Sequence, residues 1–258
     1  LNKPKHNLEH ECFMRVKFRS SCILSKGVLA MESIDVEGLN LLDQLCWELI
    51  YAQAQPLDAI AGREAELVER VVSILTGPIP PELGELLEHA PVFGKKVEFL
   101  RAYLTTAVLS LEFQSVKALL CDTPFECMYL ERVADHVVRE GEAAGIGANS
   151  HVLFIGCGPF PESAVGLVRG FGCQVTCIDH NADAIFCAHL VVKRLGLERL
   201  MEVKLADGRD VDSSAFSHVW LASLVSEKEE ILGHLYEQGI AGVRVVLRYG
   251  TGLKRLFN

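Results

Sequence analysis

The chain has 258 residues, half of them apolar and 23% charged, and a formal net charge of −9. That length holds one or two domains with a substantial core, so stability does not require disulfides. The acidic balance, with no clustered Lys/Arg stripe, excludes a nucleic-acid surface and suits a small zwitterionic or cationic ligand; no apolar run approaches the roughly 18 residues that cross a membrane.

Residues 1–30 depart from this balance, with Lys3, Lys5, Arg15, Lys17, Arg19 and Lys26. They lack the apolar stretch and cleavage site of a secretory signal, and are expected to lie outside the fold as a disordered or artefactual extension. From Met31 to residue 147 the apolar residues recur at helical spacing, as in "LNLLDQLCWELIYAQA" and "EAELVERVVSIL". Gly77, Pro78, Pro80 and Pro81 break the pattern. "KKVEFLRAYLTTAVLSLEFQSVKALL" then reads as one long helix and "PFECMYLERVADHVVREGEAAG" as another, closing near Gly145. This half is expected to be an α-helical bundle domain.

Residues 148–258 change texture. Short β-runs, "HVLFIG", "CQVTCID", "LMEVKLAD", "FSHVWLAS" and "VRVVLRYG", alternate with the helical stretches "ESAVGLVRGF", "ADAIFCAHLVVKRLG" and "EKEEILGHLYEQG". Strand–helix alternation implies a Rossmann-like α/β domain with a parallel sheet. Its ligand is expected beyond the carboxyl ends of the strands. The nine cysteines are scattered, and the close pair Cys173 and Cys177 sits on a strand pattern with no matching Cys/His pair. They read as buried thiols of a reducing, cytoplasmic protein, and no metal site is expected.

The loop after the first strand is "GCGPFP". Gly156 suits a tight turn and Gly158 a close backbone approach to a ligand, but Pro159, Phe160 and Pro161 stand where a dinucleotide fingerprint carries its third small residue. The second strand ends in Asp179, roughly 20 residues on, where a carboxylate accepts ribose hydroxyls. The third ends in "LADGRD", offering Asp207 beside an adenine, or as a helix cap. Glycine loop, ribose acid and further acid follow the order of an S-adenosylmethionine pocket. In the helical half Glu112 has apolar neighbours, Leu109, Leu111, Phe113 and Val116, an environment in which a carboxylate is either paired, functional or turned to solvent. Arg248, ending the fifth strand, is either a bidentate partner for a substrate carboxylate or one half of a surface ion pair.

"FIGCGPFPESAV", "LASLVSEKEEIL" and the closing "VVLRYGTGLKRLFN" together resemble the nicotianamine synthases and their bacterial relatives that build opine metallophores. The resemblance implies transfer of the 3-amino-3-carboxypropyl arm of S-adenosylmethionine to an amine, with methylthioadenosine released. It implies Glu112 as the catalytic carboxylate and Tyr129 as its helper. Gly156, Gly158, Pro159, Asp179, Asp207 and Ala222 would bind the sulfonium substrate, and Arg248 the acceptor. By similarity to the bacterial branch the acceptor is histidine, of either hand, and the product passes to an opine dehydrogenase. A homodimer through the helical half is compatible with this reading. The competing readings are a small-molecule N-methyltransferase and a non-catalytic S-adenosylmethionine-binding module.

Overall fold

In the computed structural model, residues 91–124, 128–238 and 242–249 are described. The expected extension at 1–30, the helical stretches up to residue 90 and the closing residues 250–258 lie outside them. Ten elements follow in order: α1 (Pro91–Cys121), α2 (Met128–Ala144), β1 (His151–Ile155), α3 (Glu162–Phe171), β2 (Gln174–Asp179), α4 (Ala182–Arg194), β3 (Met201–Leu205), β4 (His218–Leu221), α5 (Lys228–Glu237) and β5 (Arg244–Leu247). Each of the five strands and the three helices between them falls where alternation placed it.

The strands pair in parallel in the order β3-β2-β1-β4-β5. Both faces of the sheet are covered, so the strands are apolar on both sides, and side-chain alternation divides them into two cores. Val152, Phe154, Val175, Cys177, Trp220 and Val246 face one way, against Val137 of α2, Leu167 of α3 and Ala188 of α4. Leu153, Ile155, Ile178, Val219, Leu221 and Val245 face the other, against Ile231 and Leu235 of α5. Cys173 and Cys177 are buried free thiols, as their apolar setting predicts. The α2–α3 contact is close because Gly141 and Gly166 leave room for Phe171 and Val137.

One expectation is corrected. Arg101–Cys121 of α1 does reach the length and mean hydropathy, 1.2, of a membrane-crossing segment. Its charged residues, Arg101, Glu112 and Lys117, are far enough apart to leave the segment apolar on average. In the fold Leu104, Ala107, Val108 and Leu111 are buried, and the helix packs against α4.

The amino ends of the strands are tied to α2 by polar contacts. His218 Nε2 donates to the Ala144 carbonyl (3.2 Å), which also accepts from Arg244 Nη1 (2.8 Å). Nδ1 of the same ring stands 2.8 Å from Ser217 Oγ. Burial, with Arg244 nearby, lowers the His218 pKa despite the opposing bond to Ala144. The unfolded chain therefore binds the imidazole proton more readily, and the neutral ring's contribution is complete above about pH 6.5. It is lost as pH falls from there through the depressed folded value. The urea midpoint is expected to drop more steeply between about pH 7 and pH 5 in the wild type than in His218→Asn, as read from denaturation curves across that range.

Candidate functional site

Beyond the carboxyl ends of the strands lies a cavity of about 350 Å³, walled by the loops after all five strands and roofed by α1. A parallel sheet concentrates its loops at one edge, so residues far apart in sequence converge there.

The loop after β1 forms the floor. Gly156 (φ +79°) and Gly158 (φ +65°) both occupy the left-handed region that favours glycine. Neither could carry a side chain. A Cβ on Gly156 would strike Val225 of the β4–α5 loop, and one on Gly158 would strike the Glu112 carboxyl above it. Pro159 is buried but is absent from the cavity wall, and Phe160 lines it instead. The Pro159 ring fixes the backbone angle φ between Gly158 and Phe160, both of which line the cavity.

Asp179, at the end of β2, accepts the Gly158 N–H on Oδ2 (2.9 Å) and the Asn181 N–H on Oδ1 (3.0 Å). These bonds lock the β1 loop to the β2 loop. Each carboxylate oxygen retains a second acceptor site for a ligand hydroxyl. Asn181 in turn caps α4, its side chain accepting from Asp183 and Ala184.

Glu112 reaches the same space from α1. Among the described residues nothing hydrogen-bonds its carboxyl. Burial, and secondarily the charge of Asp179, push its pKa well above the usual carboxylate range. Of the apolar neighbours seen in sequence, Leu111 and Val116 are buried and Leu109 lines the cavity with Glu112 and Val108.

The other expected residues divide. Ala222 lines the cavity, its N–H donating to the Ile155 carbonyl (3.1 Å). Asp207 lines the mouth, but Arg209 already takes both of its oxygens (3.0 and 2.6 Å), an interaction that lowers the Asp207 pKa to about 2. Tyr129 falls on α2 at a position whose side chain lies outside the described residues.

Arg248 lines the cavity, and its guanidinium is held by other side chains of the protein in a largely buried, not a surface, ion pair. Its Nε and Nη2 lie 2.8 and 2.6 Å from Glu140 Oε2, and its Nη1 donates to Ser163 Oγ (2.8 Å). Its guanidinium sits 5.0 Å over the Trp220 ring. Both charged side chains are largely buried, 15% and 12% exposed. Sequence reading missed Glu140 and Ser163: Glu140 is 108 residues from its partner, on an amphipathic helix where charge reads as solvated.

A Rossmann-like parallel sheet with a glycine loop, a loop-locking aspartate and a helix carrying a desolvated carboxyl defines an α/β protein with a cavity at the carboxyl ends of its strands. Residues 136–258 match the family model described as nicotianamine synthase protein. Curated relatives are an L-histidine 2-aminobutanoyltransferase of Pseudomonas aeruginosa, 33% identical over 165 residues (62% of this chain, 61% of that protein), and one of Yersinia pestis, 32% identical over 173 residues (67% and 64%). The chain thus spans less than two thirds of the length of these relatives. Among solved structures, MtNAS in complex with MTA and tNA aligns with TM-score 0.76 at 16% identity, covering 87% of this chain and 86% of that one. A mutant of MtNAS in complex with S-adenosylmethionine aligns with TM-score 0.74 at 15% identity, covering 88% and 87%. Residues 136–258 are thus similar in sequence to the nicotianamine synthase family, and the chain shares its fold with these two solved structures.

Proposed function

We propose that the protein transfers the 3-amino-3-carboxypropyl group of S-adenosylmethionine to the amine of histidine and releases methylthioadenosine. The observation that carries this reading is the Glu112 carboxyl poised over Gly158, unpartnered among the described residues and with a raised pKa.

S-adenosylmethionine supplies a sulfonium that activates the carbons attached to it. The cavity suits that substrate: two glycines whose side-chain space is filled from the opposite wall, an acceptor carboxylate in Asp179, and acidic walls for a cation. Selecting one carbon is a matter of position, since reacting atoms held about 3–3.5 Å apart and in line gain several kcal/mol. A new N–C bond forms as the C–S bond breaks, its electron pair remaining on sulfur, which becomes a neutral thioether.

The acceptor amine is largely protonated at neutral pH and must lose a proton before it attacks. Glu112 takes that proton. A base is most effective when its pKa lies near the working pH, and burial beside Asp179 moves Glu112 in that direction. Arg248, fixed by Glu140, Ser163 and Trp220, offers its remaining N–H groups to an acceptor carboxylate, and Tyr129 assists the proton transfer in keeping with the family resemblance. The product is an amine suited to condensation with an α-keto acid by an opine dehydrogenase, and the buried thiols fit a reducing cytoplasm.

The test is product analysis by mass spectrometry with S-adenosylmethionine and each enantiomer of histidine. Methylthioadenosine is expected with one or both. S-adenosylhomocysteine instead would make the protein a methyltransferase, and binding without turnover of any amine would make it a binding module.

A further inference from the structure

Lys228, the first residue of α5, is not part of the cavity wall, whereas residues 222–227 immediately before it all are. Its ammonium donates to two carbonyls of that loop, Ser223 (2.5 Å) and Val225 (2.6 Å). One cation thus ties together two carbonyls of the segment, two residues apart. A trans peptide points its C=O and the following N–H in opposite directions, and no described peptide is cis. Fixing these two carbonyls therefore turns the N–H groups of Leu224 and Ser226 away from the ammonium, and neither has a backbone partner among the described residues. The same clamp holds Val225 against Gly156, where no Cβ could fit.

From this geometry we infer that Lys228 is a positioning residue of the transfer site, a half-buried cation that fixes the β4–α5 loop as the wall facing the β1 glycine loop. A surface lysine at a helix start is ordinarily unfavourable, because cations there oppose the helix dipole. Here the position is occupied at a cost. Burial, and the repulsion of Arg101 on α1, bring the Lys228 pKa down to about 8, with Glu227 opposing the shift. The two carbonyl bonds are what the lysine gains. A hydrocarbon of equal length would fill the space but leave both carbonyls without a donor.

The inference rests on the proposed transfer reaction for its kinetic readout and stands apart from it structurally, so two measurements are paired. Lys228→Met is expected to raise the KM for S-adenosylmethionine at least tenfold, with a smaller change in the KM for histidine. Its amide hydrogen exchange should accelerate at least tenfold within residues 222–227 and nowhere else in the sheet, and Lys228→Arg should restore most of both. Lys228→Gln, which keeps two N–H donors but no charge, provides a milder change if the methionine variant does not fold; an intermediate KM and intermediate local exchange are expected. Wild-type kinetics and exchange in the methionine or glutamine variant would overturn the inference, as would accelerated exchange spread over the whole sheet. Should the wild type fail to turn over S-adenosylmethionine with histidine, the reaction reading falls, and local exchange alone still decides the role of Lys228.

Discussion

Glu112→Gln is expected to lower methylthioadenosine release from S-adenosylmethionine and histidine by about 10²–10⁴-fold, the usual contribution of a positioned general base. The amide keeps the shape of the side chain over Gly158 but has no site for the amine's proton. Affinity for S-adenosylmethionine, read by calorimetry, should stay within a few fold, because the floor contacts from Gly158 and Asp179 are untouched. The pH dependence carries the same signature with a definite sign. Glu112 accepts a proton only when ionised, so the rate must rise with pH through its pKa. Since burial raises that pKa, the acid limb should lie above the ordinary glutamate value of about 4.3. Asp179 adds to the elevation by repulsion, so removing its charge in Asp179→Asn should move the limb towards acid while weakening substrate binding. Equal turnover by the glutamine variant would take the base role from Glu112.

How much of this was legible in the sequence depends on the range of the interaction. The sheet was readable because each strand is a short apolar run bounded by turn residues and the helices between them imply parallel connections, whereas the strand order came from the fold. Gly156, Gly158 and Asp179 were readable because one loop and one strand end fix them, about 20 residues apart. Glu112 could be suspected from its neighbours, although apolar surroundings on one helix do not reveal what lies opposite. The glycine on the far wall, whose missing side chain makes room for the carboxyl, came only from the fold. Arg248 illustrates the limit: a cation at a strand end suggests a ligand, but Glu140, Ser163 and Trp220 converge on it from three other elements. Pro159 is informative as a mark of family resemblance, and in the fold it is buried between Gly158 and Phe160, which line the cavity.

Gly158→Ala separates the loop's two duties, and its effect on turnover should rival that of losing the base. The residue sits at φ +65°, where a β-carbon costs about 1–2 kcal/mol. Strain alone would leave a folded protein, since a domain of this size carries about 5–15 kcal/mol of stability. The larger consequence is steric. The new methyl group would occupy the space of the Glu112 carboxyl, so either α1 or the loop must give way. If the carboxyl moves, the base leaves its place beside the amine, and a misplacement of about 1 Å costs on the order of 10²-fold in rate. If the loop moves, the Gly158 N–H parts from Asp179 and the substrate floor is lost with it. Transfer is therefore expected to fall by about 10²-fold or more whichever wall yields. Calorimetry with S-adenosylmethionine tells the two apart, near-unchanged affinity indicating displacement of Glu112 and lost affinity displacement of the loop. A double variant, Gly158→Ala with Glu112→Ala, removes the collision but not the strain. It should recover stability and substrate affinity relative to Gly158→Ala alone and recover no turnover, because space has been restored and the base has not. Failure of the double variant to recover either property would mean that Gly158 is required for its backbone angle and not for the carboxyl packed against it.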